Sequence, residues 1–207
     1  MKMNLPNKLT IFRMILVIFM AAVPVVDYFM GGIPGSVCGV ATAFIIMDAI
    51  FIIASITDKL DGYLARKNNE VTTFGKFLDP IADKILVISA LTILVEVGRI
   101  PSWIPIIVIT REFIVSGYRL VAVEKGGKVI AASMWGKLKT VTQMVAITLI
   151  FLDNNAYAAF INGGLSTGPK VFNIITTVLI TISVVATIFS GVDYLRGGKD
   201  LFKDEEK

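Results

Sequence analysis

Four aspartates stand in two pairs within the stretch DKLDGYLARKNNEVTTFGKFLDPIADK, residues 58–84. Asp58 and Asp61 are three positions apart, Asp79 and Asp83 four. Either spacing puts both side chains of a pair on one helix face. Residues 67–73 between the pairs are polar and suit a tight helical hairpin, which would turn the pairs toward each other. Four carboxylates so placed repel one another unless a cation holds them. Their hard oxygens suit Mg²⁺, Mn²⁺ or Ca²⁺, and one or two such ions would satisfy the arrangement. Gly62, Ala65 and Gly75 leave little bulk beside the carboxylates, so a large flat ligand could lie against the backbone. Arg66 and Lys76 offer charge to phosphates, Arg66 in bidentate fashion. Pro80 follows Asp79 near the expected start of a helix, where a missing N–H is tolerated.

A second cluster of charge lies in TREFIVSGYR, residues 110–119. Arg111 and Glu112 interrupt an otherwise apolar run, and an ionisable residue there is a functional candidate because leaving it unpaired in lipid is costly. Arg119 follows two turns later on a neighbouring face, and Lys137 and Lys139 follow Gly136. These cations suit a substrate that carries its own phosphate. A structural reading stands beside this one, with Arg111 paired to Glu112 or Asp48, and Arg119, Lys125 and Lys128 acting as membrane-surface anchors. The chain has no histidine and one cysteine, Cys38. That removes the commonest general base, an intramolecular disulfide and a thiolate metal cluster, and leaves carboxylates, amines and hydroxyls to do any chemistry.

The elements that must position these groups read as membrane helices. Of 207 residues 55% are hydrophobic, and the mean hydropathy is +0.77, above the usual apolar share of a soluble domain. A crossing helix takes about 20 mostly apolar residues. Six such runs are expected, near 9–28, 37–66, 74–97, 103–123, 131–151 and 171–195, behind a short amphipathic lead-in. The expected architecture is therefore all-α, one six-helix membrane domain over residues 1–195 and a polar tail over 196–207. The second run would reach roughly 45 Å against a hydrocarbon core of about 30 Å, so its last turns, with Asp58, Asp61 and Arg66, should project from the membrane. Loops rich and poor in Lys and Arg alternate along the chain. The rich ones hold Lys2, Lys8 and Arg13, then Arg66, Lys67 and Lys76, then Arg119 to Lys139, then the tail. By the positive-inside tendency both termini and the aspartates face the cytoplasm. The net charge of +4 suits an anionic leaflet. Nucleic acid is not an expected partner.

The pattern D-x2-D-G-x2-A-R-x8-G-x3-D-x3-D, carried by Asp58, Asp61, Gly62, Ala65, Arg66, Gly75, Asp79 and Asp83, resembles the signature of the CDP-alcohol phosphatidyltransferases without a departure. The resemblance implies six membrane helices, a homodimer, and two Mg²⁺ or Mn²⁺ ions per subunit held by the four aspartates. It implies CDP lying across Gly62, Ala65, Arg66 and Gly75, with Thr10 a further nucleotide contact, and Asp83 as the base. Residues 4–13, 110–119 and 135–144 extend the likeness to bacterial members that move a phosphatidyl group from CDP-diacylglycerol to sn-glycerol 3-phosphate. On that likeness Arg111, Arg119, Lys137 and Lys139 bind the acceptor phosphate, and the enzyme sits in the bacterial inner membrane with its site facing the cytoplasm. Inositol phosphate, serine or phosphatidylglycerol is the alternative acceptor. A divalent-cation path is the reading from another class, but a transporter places its ionisable groups near the midplane, whereas these gather at one surface.

Overall fold

The computed structural model describes residues 4–67, 73–124 and 134–197. The elements in order are α1 (Leu5–Phe29), a short hairpin of β1 (Ser36–Val37) and β2 (Val40–Ala41), α2 (Thr42–Lys67), α3 (Thr73–Glu96), α4 (Trp103–Glu124), α5 (Met134–Leu152), a 3-10 turn (Ala159–Asn162) and α6 (Thr167–Gly197). The described residues are helical apart from that two-stranded hairpin and the connections, and two stretches, Asn7–Phe29 and Thr167–Arg196, are long and apolar enough to cross a membrane. The expected hairpin at 67–73, the loop with Lys125 and Lys128, the start of the fifth run at 131–133 and the tail beyond Gly197 lie outside the described residues.

The second helix starts later than its hydropathy suggests. Residues 37–41 are apolar enough to extend the run, but they form the hairpin instead. Cys38 and Gly39 both take positive φ, 52° and 80°, while Val37 pairs with Val40. Positive φ at both central positions is the type I′ pattern, whose twist matches that of two antiparallel strands. At 26 residues, α2 is still about 39 Å long and exceeds the hydrocarbon core. Pro80 also differs from expectation. It lies inside α3, not at its start, so the carbonyl four residues earlier loses its N–H donor beside Asp79.

The chain divides into two compact units, residues 1–99 with 148–156 and residues 100–147 with 157–207. In the first, α1 packs on both α2 and α3, more extensively than those two pack on each other. Its inner face runs Asn7, Thr10, Arg13, Val17, Met20, at helical spacings of three and four, and all five are buried. Outward it shows Phe12, Ile18 and Phe19. Phe51 of α2, fully buried, meets the Phe151 ring at 6.4 Å. At the opposite end of α2 from the aspartates, Arg99 lies 4.4 Å over the Phe44 ring and donates to Asn154 Oδ1 at 3.3 Å. Asn154 donates in turn to the Gly39 carbonyl at 2.7 Å, which ties the hairpin down. Burial lowers the Arg99 pKa from its ordinary value, and nearby Asp153 opposes that shift.

In the second unit α6 is polar on its inner side. Asn173, Thr176, Thr177, Ser183, Thr187 and Ser190 are buried, while Val171, Val178, Val185, Ile188 and Phe189 face outward. Small polar residues at the contacts and apolar ones toward the surroundings are the arrangement expected in lipid. The buried groups are used. Asn173 Oδ1 accepts from the Phe160 N–H at 3.1 Å, Thr177 Oγ1 from the Ala158 N–H at 3.1 Å, and Thr187 donates to the Ser183 carbonyl at 2.7 Å. The connection before α6 is thus fastened to it.

Replacing Phe51 by Ala should lower stability by about 3–5 kcal/mol through an unfilled cavity. A fall in the thermal unfolding midpoint of the detergent-solubilised protein checks it.

Candidate active site

The first centre forms where α1 meets the aspartate-bearing helices. Asn7, Thr10 and Arg13 recur every three residues, so one stripe of α1 carries all three inward. Thr10, 1% exposed, donates its hydroxyl to Asp79 Oδ1 at 2.7 Å. Arg13 is wholly buried, and its Nη1 lies 2.7 Å from Asp58 Oδ1 and 3.6 Å from Asp83 Oδ1. The Asp58 side chain is 30% exposed and that of Asp83 52%. The structure therefore brings together Asp58 from α2, and Asp79 and Asp83 from α3, around two donors of α1. The spacing argument for the pairs is met in part, because Asp79 and Asp83 share the side of α3 that faces α1. The side chains of Asp61, Ala65 and Arg66, and the surroundings of Gly62, lie outside the described residues; Gly75 is buried.

One expectation about α1 changes. Arg13 was counted among the basic residues that set orientation, but it points into the protein and pairs with carboxylates. Thr10, expected at the nucleotide, stands in the centre and donates to Asp79. A polar residue every third position in a helix that is otherwise lipophilic was the available signal for both, and for Asn7.

All the described donors here are carboxylate oxygens, the set that suits a hard divalent ion. Asp58 and Asp83 already converge on one cationic group, Arg13. Among the described residues no group of three or more acidic side chains is poised around one ion; Asp61 is not among them. In the chemistry of their oxygens these carboxylates suit a divalent ion.

The second centre is basic and lies in the other unit. Glu112 stands between two cations of its own unit. Arg111 Nη1 is 2.8 Å from Glu112 Oε1, and Lys139 of α5 donates to the same oxygen. Arg111 also donates to Ser190 Oγ of α6. Its Cγ would sit 3.3 Å from a Cβ at position 191, so Gly191 permits the close approach of α4 and α6. Arg119 donates to the Tyr194 hydroxyl at 2.6 Å, and the buried Tyr194 ring has Arg111 and Arg119 at 5.7 and 5.3 Å. Arg111 and Lys139 thus share the Glu112 carboxylate, and Arg111 and Arg119 share the Tyr194 ring. Lys137 is exposed on α5. Ser190 and Tyr194 were not anticipated; their four-residue spacing on α6 was the clue. Asp48 is buried in mid-helix, and its Oδ1 accepts no hydrogen bond among the described residues.

With the geometry in view, comparison with known proteins places the chain. The family model described as CDP-alcohol phosphatidyltransferase matches residues 3–189. The chain belongs to this family. It is similar to the CDP-diacylglycerol–glycerol-3-phosphate 3-phosphatidyltransferase of Bacillus subtilis (strain 168), 45% identical over 151 residues, 73% of this chain and 78% of the relative. The Haemophilus influenzae protein of the same name is 38% identical over 208 residues, 99% of this chain and 98% of its own. A probable phosphatidylglycerophosphate synthase of Mycobacterium tuberculosis is 38% identical over 193 residues, 93% of this chain and 80% of its own. A CDP-alcohol phosphatidyltransferase is a membrane transferase, and the outward apolar faces of α1 and α6 agree with that character.

Thr10→Val keeps the shape of the side chain and removes the donor to Asp79. The expected loss is about 1–3 kcal/mol, read as a lower thermal midpoint, with Thr10→Ser close to wild type.

Proposed function

We propose that this phosphatidyltransferase moves the phosphatidyl group of CDP-diacylglycerol to sn-glycerol 3-phosphate, giving phosphatidylglycerophosphate and CMP. The observation that carries the reading is the meeting of signature carboxylates from α2 and α3 at Arg13 and Thr10, in a chain whose relatives along nearly its whole length bear that name. The acceptor hydroxyl oxygen forms a bond to the phosphatidyl phosphorus. The bond from that phosphorus to the bridging oxygen breaks, and CMP leaves with the electron pair. The hydroxyl proton passes to a carboxylate, since the chain has no histidine. Asp83 takes this role. Of the two aspartates facing Arg13 it is the farther and the more exposed.

Mg²⁺ or Mn²⁺, two ions per subunit held by Asp58, Asp61, Asp79 and Asp83, would offset the charge of the pyrophosphate and of the departing CMP. Gly62, Ala65, Arg66 and Gly75 cradle the nucleotide, with Thr10 a further contact held in place by its bond to Asp79. Arg111, Arg119, Lys137 and Lys139 bind the acceptor phosphate. Arg111 and Lys139 share one carboxylate, that of Glu112, and Arg119 lies with Arg111 at the Tyr194 ring, which supports a site for a phosphate there.

The same reading has all six helices crossing the bacterial inner membrane in a homodimer. Both termini and the aspartates face the cytoplasm. The alternation of basic and neutral loops supports this orientation.

The test is CMP release from CDP-diacylglycerol by purified protein in detergent with Mg²⁺. Release should require glycerol 3-phosphate, stop on chelation, and fall about 10²–10⁴-fold in Asp83→Asn. Arg119→Gln should raise KM for glycerol 3-phosphate roughly tenfold or more, the size of a lost charged hydrogen bond, and leave KM for CDP-diacylglycerol unchanged. Release that follows inositol phosphate, serine or phosphatidylglycerol instead would overturn the acceptor assignment.

A further inference from the structure

Arg13 has no exposed surface, although a guanidinium is costly to remove from water. It lies on the inner face of α1, where that helix packs on α2 and α3. Its Nη1 faces Asp58 of α2 at 2.7 Å and Asp83 of α3 at 3.6 Å, so one group answers carboxylates of two helices. Thr10, one turn earlier, holds Asp79.

We propose that Arg13 is a resident counter-cation of the carboxylate centre. It is a positioning residue that points Asp58 and Asp83 toward one place, and it weakens the hold of a divalent ion on those same oxygens. The inference rests on the reading that the aspartates bind divalent ions.

Two opposing effects follow from removing its charge. The carboxylates lose a group that aims them, which disfavours ion binding. A divalent ion also escapes repulsion by a positive charge a few ångströms away. A single and a double charge at about 5 Å, with an effective dielectric of about 20, interact by several times the thermal energy. Ordering two short side chains is a smaller matter. The charge effect therefore prevails, and the ion binds more tightly without Arg13. A merely structural arginine predicts something else, a loss of stability of the same size with and without the ion.

The experiment uses the full-length protein in detergent as wild type, Arg13→Gln and Arg13→Lys. Mn²⁺ binding is followed by the resonance signal of the free ion, and thermal midpoints are measured in chelator and in Mg²⁺. Arg13→Gln should bind Mn²⁺ about tenfold or more tightly than wild type. Its midpoint should rise on Mg²⁺ addition by roughly 2–4 °C more than that of wild type. Arg13→Lys, which keeps the charge, should stay near wild type in affinity. Recovery of folded Arg13→Gln only when Mg²⁺ is present throughout purification would also support the proposal. Unchanged or weaker Mn²⁺ binding in Arg13→Gln, or an equal fall in midpoint in both buffers, overturns it. So does failure to recover folded Arg13→Gln under either condition. Absence of Mn²⁺ binding in wild type and both variants would instead bring down the metal reading itself.

Discussion

A polar side chain among apolar helices has to find its partner inside the protein, because hydrocarbon offers none. Most of the described structure follows from that constraint. Hydroxyls on α2, α3, α5 and α6 turn back to carbonyls of their own helices, as Thr57 does to Ile53 and Thr142 to Leu138. Asn173 and Thr177 take up the backbone donors of the connection that precedes α6. Charged groups obey the same rule at greater stakes. In each centre a charge of the opposite sign stands between like ones, Arg13 between Asp58 and Asp83 in one unit and Glu112 between Arg111 and Lys139 in the other. Such a group steadies a crowd of like charges before any substrate arrives.

The aspartate pairs were legible because their chemistry and their spacing agree. Intervals of three and four can mean a helix face, and carboxylates in that number need a cation. Arg13 was not legible, for a simple reason. A basic residue near the start of an apolar run looks the same whether it points to lipid headgroups or into the protein. Only the company of Asn7 and Thr10 at equal intervals separates the two cases. The start of α2 was misread because hydropathy does not register φ. Residues 37–41 are apolar, yet Cys38 and Gly39 adopt the left-handed conformation that turns the chain back on itself. The apolar run of α6 was found correctly, but its buried stripe of Ser, Thr and Asn was invisible to an average taken over all faces. Of the two readings kept for Arg111, pairing with Glu112 is what the structure shows. That pairing does not exclude a role toward phosphate, because Lys139 shares the same carboxylate and the local sum stays positive.

Pro80 and Gly191 show how small backbone features serve these centres. A proline within α3 opens the helical ladder next to Asp79, at the point where α1 approaches with Thr10. A glycine in α6 lets Arg111 lie against the helix backbone and reach Ser190. In both cases the backbone feature sits beside a charged side chain whose direction matters.

The burial of Arg13 has a consequence for how the protein is made. Its nearer carboxylate partner, Asp58 on α2, comes about 45 residues later in the chain, and Asp83 on α3 about 70 later. At ribosomal speeds of about 5–20 residues per second, seconds separate the appearance of Arg13 from that of Asp58. During that interval α1 carries an arginine whose partners do not yet exist. Near the beginning of the helix the side chain can stretch to the headgroup layer and wait there, which a residue at mid-depth could not do. Arrival of α2 then offers it a first carboxylate and α3 a second, so the acidic centre is completed in two steps, and a chain that stalls before α2 is left with an arginine that has neither.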